Sequence, residues 1–164
     1  MQNDTKHMKL IEKGRIFELK PFDRETLEKS LVWLNDPEIQ AGMNITYKIT
    51  KEGQEKWFSR LKTRKDYKIW SFYCDGVSIG AGGFRNITLK SGELTCYIGN
   101  KEFWGTGKYL VELLLNKAKE LGFEEVKLKV LHSNERAHKC YIKRGFKYFC
   151  EDNLFKTLCV EINK

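Results

Sequence analysis

The sequence predicts an α/β (α+β) domain with helices on both faces of a mixed, mostly antiparallel sheet. Three observations predict it. A strand-like run at residues 94–99 passes through a turn carrying Gly105 and Gly107 into an amphipathic helix starting at Gly107. A second strand–helix unit follows, with a strand at 126–131 and a helix that opens near Ser133 or Asn134 and ends before Gly145. Upstream, Asp75-Gly76, a dipeptide favoured in tight hairpins, joins two strand-like runs.

Each element has a local reason. Residues 1–13 read as a flexible leader, with a polar start from Met1 to Lys9. Residues 16–21 form a first strand that ends at Pro21, because proline cannot donate to a ladder. Residues 24–34 form a helix with Leu27, Leu31 and Leu34 on one side. Asn35, Asp36 and Pro37 then make a turn, in which Asx side chains bond the local backbone and proline fixes φ. Residues 41–49 link to a second helix, which Thr50 caps and which runs to Lys62 with Trp57, Phe58 and Leu61 inward.

The hairpin strands span 69–73 and 77–87, and Lys90-Ser91-Gly92 turns the chain into the next strand. The helix from Gly107 rests on Leu110, Leu113, Leu114, Ala118 and Leu121 at i, i+3, i+4 spacing, and Gly122 stops it. Residues 146–150 and 158–162 are the last strands, separated by a polar turn at 151–153. The order is one strand, two helices, three strands, helix, strand, helix and two strands, in a single domain over residues 1–164.

Composition narrows the function. A chain of 164 residues suits one domain with a real core. No apolar run approaches the roughly 20 residues that span a bilayer, and no secretory signal is present, so no membrane insertion is expected. Cys74, Cys96, Cys140, Cys150 and Cys159 are odd in number and scattered, without Cys-x-x-Cys spacing. That pattern points to a reduced, cytoplasmic protein without a metal. The net charge of +8 comes from Lys and Arg spread along the chain, with no basic block beside a base-reading motif. The charge reads either as a solvated basic surface or as an attraction for phosphorylated small molecules, and no nucleic acid is expected as a partner. Lys139, Lys143 and Arg144 stand out as a cluster suited to a phosphate. A homodimer is compatible with the sequence.

Gly105 and Gly107 leave no side chain to block a ligand, so the free N–H groups of the first helical turn can meet an anion. The loop reads Glu102, Phe103, Trp104, Gly105, Thr106, Gly107, and the following unit carries Asn134, Ala137, Tyr141, Gly145 and Phe146. Together these motifs resemble the GNAT superfamily of N-acetyltransferases, whose coenzyme A loop reads Gln/Arg-x-x-Gly-x-Gly/Ala. The Trp-Leu-Asn-Asp-Pro-Glu run from Trp33 is similar to a branch with sugar-modifying and spermidine enzymes, and the stretch from Gly92 to Gly107 resembles a branch with amino-sugar, polyamine and ribosomal-protein enzymes. Glu102 departs from the pattern, and binding through backbone groups survives that change.

The resemblance implies the GNAT fold and acetyl transfer from acetyl-coenzyme A to a small-molecule primary amine, without a metal. Pyrophosphate would lie on Phe103, Trp104, Gly105, Thr106, Gly107 and Lys108, with Asn134 and Lys139 also at the cofactor. The strand ending at Ile98 and Gly99 would part from residues 129–131, and an N–H near Ile98 would polarise the thioester carbonyl. Tyr141 would protonate the departing sulfur, and Glu93 is the candidate base. Met43, Asn44 and Tyr47 would line the acceptor pocket. His132 and His138 read as surface. The expected acceptor is an amino sugar carried on a nucleotide for surface-glycan biosynthesis, because a positive chain repels a polyamine. A protein N-terminus, a polyamine, or a silent acyl-coenzyme A-binding module are the alternatives.

Overall fold

The strand-length runs become eight strands and the amphipathic ones five helices in the computed structural model, which describes residues 8–162. In chain order they are β1 (Met8–Glu12), β2 (Arg15–Pro21), α1 (Arg24–Trp33), α2 (Pro37–Met43), α3 (Lys51–Arg60), β3 (Lys68–Cys74), β4 (Val77–Arg85), β5 (Ser91–Ile98), α4 (Gly107–Glu120), β6 (Glu125–Leu131), α5 (Glu135–Lys143), β7 (Lys147–Glu151) and β8 (Phe155–Glu161). One sheet holds all eight strands in the order β1-β2-β3-β4-β5-β6-β8-β7. Every neighbouring pair is antiparallel except β5 with β6.

Two elements differ from the sequence expectation. Residues 8–13, expected in a flexible leader, form β1 and its turn, and β1 pairs with β2 over Met8–Glu12. Met8 and Leu10 pack on the core from alternate positions of a strand too short to show its period. The rest of that leader, residues 1–7, lies outside the described residues. The second difference is α2, which occupies part of the stretch expected to be a turn and a linker. Asp36 accepts from the N–H groups of Glu38 at 2.9 Å and Ile39 at 3.4 Å, and Pro37 takes the first helical position. The same Asx and proline chemistry that suggested a turn therefore starts a helix.

α4 supplies the core of one face. Leu110, Leu113, Leu114 and Ala118 are buried against Phe17, Trp70, Phe72 and Phe84 of the sheet. Burying each leucine there stabilises the fold by about 1.5–3 kcal/mol. Lys117 is buried on the same helix, its Nζ 3.2 Å from Glu120 and 5.5 Å from the centre of the Trp70 ring. α5 packs against α4 and β6 on this side. α1 lies on the opposite face against β4, and α3 packs on α1. Asp23 caps α1 at the N–H of Thr26 (2.9 Å), and Thr26 meets Ser78 of β4 at 2.7 Å.

The far end of α1 rests on the tip of β5. Trp33 lies over Gly99, where an added Cβ would overlap the indole ring, and meets Tyr97 edge-on with ring centres 6.2 Å apart. Gly99→Ala is expected to push Trp33 away and destabilise the fold by about 1–3 kcal/mol. Thermal unfolding checks this, and an unchanged midpoint would contradict the packing described.

Candidate active site

The single parallel pairing in the sheet is short. β5 and β6 pair only from Ser91 to Glu93 against Glu125 to Lys127, and beyond that point the strands part. On its other side β5 stays zipped to β4 as far as Ile98. The N–H of Gly99 donates to Ile79 at 2.8 Å, which sets the phase of the ladder. Because antiparallel bonds alternate, odd-numbered residues of β5 bond β4, while the amides of Cys96 and Ile98 face the edge that β6 has left. A cleft of about 1210 Å³ opens there, lined by β5 from Leu94 to Ile98, by Lys129, Val130 and Leu131 of β6, and by α4 and α5.

A short turn feeds α4 into this cleft. Asn100 accepts from the N–H of Glu102 at 3.0 Å and starts a 3₁₀ turn over Lys101–Phe103. The Trp104 indole then donates to the carbonyl of Ile98 at 3.0 Å, tying the turn to the tip of β5. Gly105 has φ +104, a left-handed conformation that glycine adopts without strain. Thr106 sends its hydroxyl back to the Phe103 carbonyl at 2.6 Å and does not cap the helix. The N–H groups at the start of α4 remain available where Gly107 and Lys108 line the cleft. The positive helix end and the side chains of Lys108, Arg136, Lys139, Lys143 and Arg144 make this mouth attractive to an anion.

Across the gap, Asn134 caps α5 by accepting from the N–H of Ala137 at 3.2 Å, and it lines the cleft. Tyr141 reaches in from the same helix. Its ring stands edge-on to Phe146, and its hydroxyl lies 3.6 Å from the Cys96 thiol. Burial holds the Tyr141 phenol well above its ordinary pKa. Burial likewise pushes the Cys96 thiol up to about 11. Both groups are therefore protonated at neutral pH.

Of the residues expected at the site, Ile98, Trp104, Gly105, Gly107, Lys108, Asn134, Lys139, Tyr141, Met43, Asn44 and Tyr47 all line this one cleft. Phe103, Thr106, Gly99 and Glu93 do not. Phe103 packs toward the core beneath Arg15, and Gly99 serves Trp33. Glu93 sits at the closed end of the splay, held by Arg85 Nε at 2.6 Å and Asn86 Nδ2 at 3.3 Å. Glu102 is exposed and does not line the cleft, and neither histidine of this region, His132 or His138, lines it.

Sequence reasoning missed several lining residues. Arg85, Tyr67, Cys96 and Arg136 join the cleft through strand register and helix packing, which leave no local motif. Met43, Tyr47, Tyr67, Thr95 and Tyr97 also border a smaller chamber of about 210 Å³ under α1 and α3, with Phe22 and Trp57 among its walls. Burial pushes the Tyr67 phenol up to about 12 and raises that of Tyr97 as well. Asn35 closes this side by bonding the backbone of Ile49 in both directions, at 2.8 and 2.9 Å. Among the described residues, no helix is long and apolar enough to cross a membrane.

Solved structures share this architecture. Campylobacter jejuni N-acetyltransferase PseH, also solved with acetyl coenzyme A, is 24% identical, with 90% of this chain and 99% of that one covered and TM-scores of 0.73 and 0.74. Vibrio cholerae spermidine N-acetyltransferase, solved with CoA and spermine, superposes with a TM-score of 0.81 at 16% identity, covering 89% of this chain and 95% of that one. No curated protein matches the sequence. Residues 23–146 match the profile of the Acetyltransferase (GNAT) family, a span that contains α1 through α5, the parting of β5 from β6 and the turn into α4. The chain thus belongs to the GNAT family of acetyl-CoA-dependent N-acetyltransferases.

Proposed function

We propose that this acetyltransferase acetylates the primary amine of a small anionic acceptor, an amino sugar carried on a nucleotide. The observation that carries this reading is the charge of the cleft. Seven lysines and arginines line it, of which Arg85 is paired with Glu93 at 2.6 Å, against a single lining acid, Glu38, which is itself tied to Lys101 at 2.7 Å. Such a field attracts phosphate groups and repels a polycation. The tyrosines at 47, 67 and 97 extend an aromatic lining to the acceptor side, where a sugar ring and a base have faces to rest on.

The residues suit acetyl-CoA as the acetyl donor. The amides opening α4 and the cations of α4 and α5 would hold its pyrophosphate. The Cys96 and Ile98 amides facing the gap offer donors for the thioester carbonyl, aligned before reaction by the β4 ladder. Asn134 has amide hydrogens left for the pantetheine arm after its oxygen caps α5. Attack by the neutral amine on the carbonyl carbon forms the C–N bond, the nitrogen gives its extra proton to water, and collapse of the tetrahedral adduct breaks the C–S bond. Tyr141 gives its proton to the departing sulfur, and the phenolate recovers one from solvent. Glu93 has no part in this scheme, since Arg85 and Asn86 hold it outside the cleft lining.

Thiol release from acetyl-CoA tests the acceptor with a nucleotide-linked amino sugar, the free amino sugar, spermidine and a peptide with a free N-terminus. The nucleotide-linked sugar is expected to exceed spermidine in kcat/KM by about tenfold or more, with the margin shrinking as salt rises. Spermidine or the peptide as best acceptor would overturn the acceptor assignment, and no release with any amine would favour a silent acyl-CoA-binding module.

Tyr141→Phe is expected to lower kcat by about a hundredfold, as loss of a general acid does. Because the Tyr141 pKa is raised, its proton is present throughout neutral pH and is lost only above the ordinary phenol value of about 10. The wild-type rate should accordingly show no Tyr141-dependent decline below that pH. A decline that disappears in the phenylalanine variant would contradict this.

A further inference from the structure

We infer that Cys96 is a positioning residue for Tyr141, its thiol holding the phenol so that the O–H proton is free to meet the departing sulfur. The inference deepens the reading of Tyr141 as general acid and rests on it. Packing against Phe146, with ring centres 5.7 Å apart and an interplanar angle of 64°, fixes the plane of the tyrosine ring. That contact leaves the direction of the hydroxyl proton open. Among the described residues the hydroxyl's side-chain partner is Cys96 Sγ, at 3.6 Å.

Cys96 is itself seated. Its neighbour on β4 is Gly82, where an added Cβ would stand 2.8 Å from both Cys96 Cβ and Leu114 Cδ1. The glycine makes the space into which Cys96 and Leu114 pack, so the thiol is wedged between β4 and α4 on one side and Tyr141 on the other. A neutral thiol has one weak donor and a weak acceptor. Burial keeps it neutral, so its S–H can donate to the phenol oxygen, and the phenol's own proton then points away from Cys96 into the gap.

The same bond helps during transfer. As the Tyr141 O–H bond breaks and the proton forms an S–H bond with the leaving thiolate, negative charge gathers on the phenol oxygen. The Cys96 S–H already points at that oxygen, and a hydrogen bond to an ionised acceptor is stronger than one to a neutral acceptor. A hydroxyl on a shorter bond does the same work, whereas a methyl group does not.

The test is a double-mutant cycle with Cys96→Ala, Cys96→Ser, Tyr141→Phe and Cys96→Ala/Tyr141→Phe, reading kcat, the KM for acetyl-CoA and the thermal midpoint of each. Cys96→Ala is expected to lower kcat about three- to tenfold, the range of one modest hydrogen bond, with KM within about twofold. Cys96→Ser should restore kcat to within about twofold of wild type. In the Tyr141→Phe background, Cys96→Ala should add no further loss.

The proposal is overturned if Cys96→Ala keeps the wild-type kcat, if Cys96→Ser is as slow as Cys96→Ala, or if Cys96→Ala slows the phenylalanine variant by the same factor. Wild-type activity in Tyr141→Phe alone would instead remove the general-acid reading on which the inference stands. A slow Tyr141→Phe beside an unimpaired Cys96→Ala would remove only the role of Cys96.

Discussion

The parallel pairing of β5 with β6 ends at Glu93 and Lys127, and the position of each site residue follows from that early end. A buried backbone amide without a partner is costly, so a sheet does not normally open in its middle. Here it opens between strands that are each secured on their far side, β5 by β4 and β6 by β8. The ladder bonds on those outer edges hold the two strands while the inner edges diverge. The amides of Cys96 and Ile98 are left facing a cleft, in fixed directions, with the β4 ladder behind them. An acyl carbonyl offers such amides the acceptor they lack. On the proposed reading, the chemistry begins with a sheet left incomplete at one seam.

The rest of the site is arranged around the two lips of that seam. On one lip, the turn from Asn100 to Thr106 folds back so that Trp104 bonds the carbonyl of Ile98, coupling the start of α4 to the end of β5. On the other, Asn134 starts α5 at the point where β6 finishes, so that Tyr141 faces β5 across the gap. α1 and the segment after it close the far face, with Trp33 seated on Gly99 and Lys101 bridging to Asp36 at 2.9 Å and Glu38 at 2.7 Å. These exposed ion pairs add little stability. They do mark where α2 meets the turn before α4.

What is legible in the sequence is whatever has a local period or a local cap. α4 shows its leucine stripe, Asp75-Gly76 shows its hairpin, and Thr50 and Asn134 are helix caps in the structure. α2 is not legible, because seven residues with only Ile39 fully buried do not display a stripe. β1 is hidden for the same reason. Site residues divide along the same line. The turn before α4 and the Asn134 to Tyr141 spacing are written in sequence order, whereas Arg85 meets Glu93 only through the β4–β5 register. Glu93 therefore looks like an available acid until its partners are seen. Cys96 and Tyr141 meet across 45 residues, through packing that no pattern in either segment records.

The central claim is that the seam leaves two amides unpaired and that the acetyl donor pairs them. Amide hydrogen exchange resolved at Cys96 and Ile98, measured with and without acetyl-CoA, tests it most directly. The account predicts that both exchange faster than the amides of Thr95 and Tyr97, which bond β4, and that saturation with acetyl-CoA slows them. Slow exchange at Cys96 and Ile98 in the free protein, or no change on adding acetyl-CoA, would contradict it.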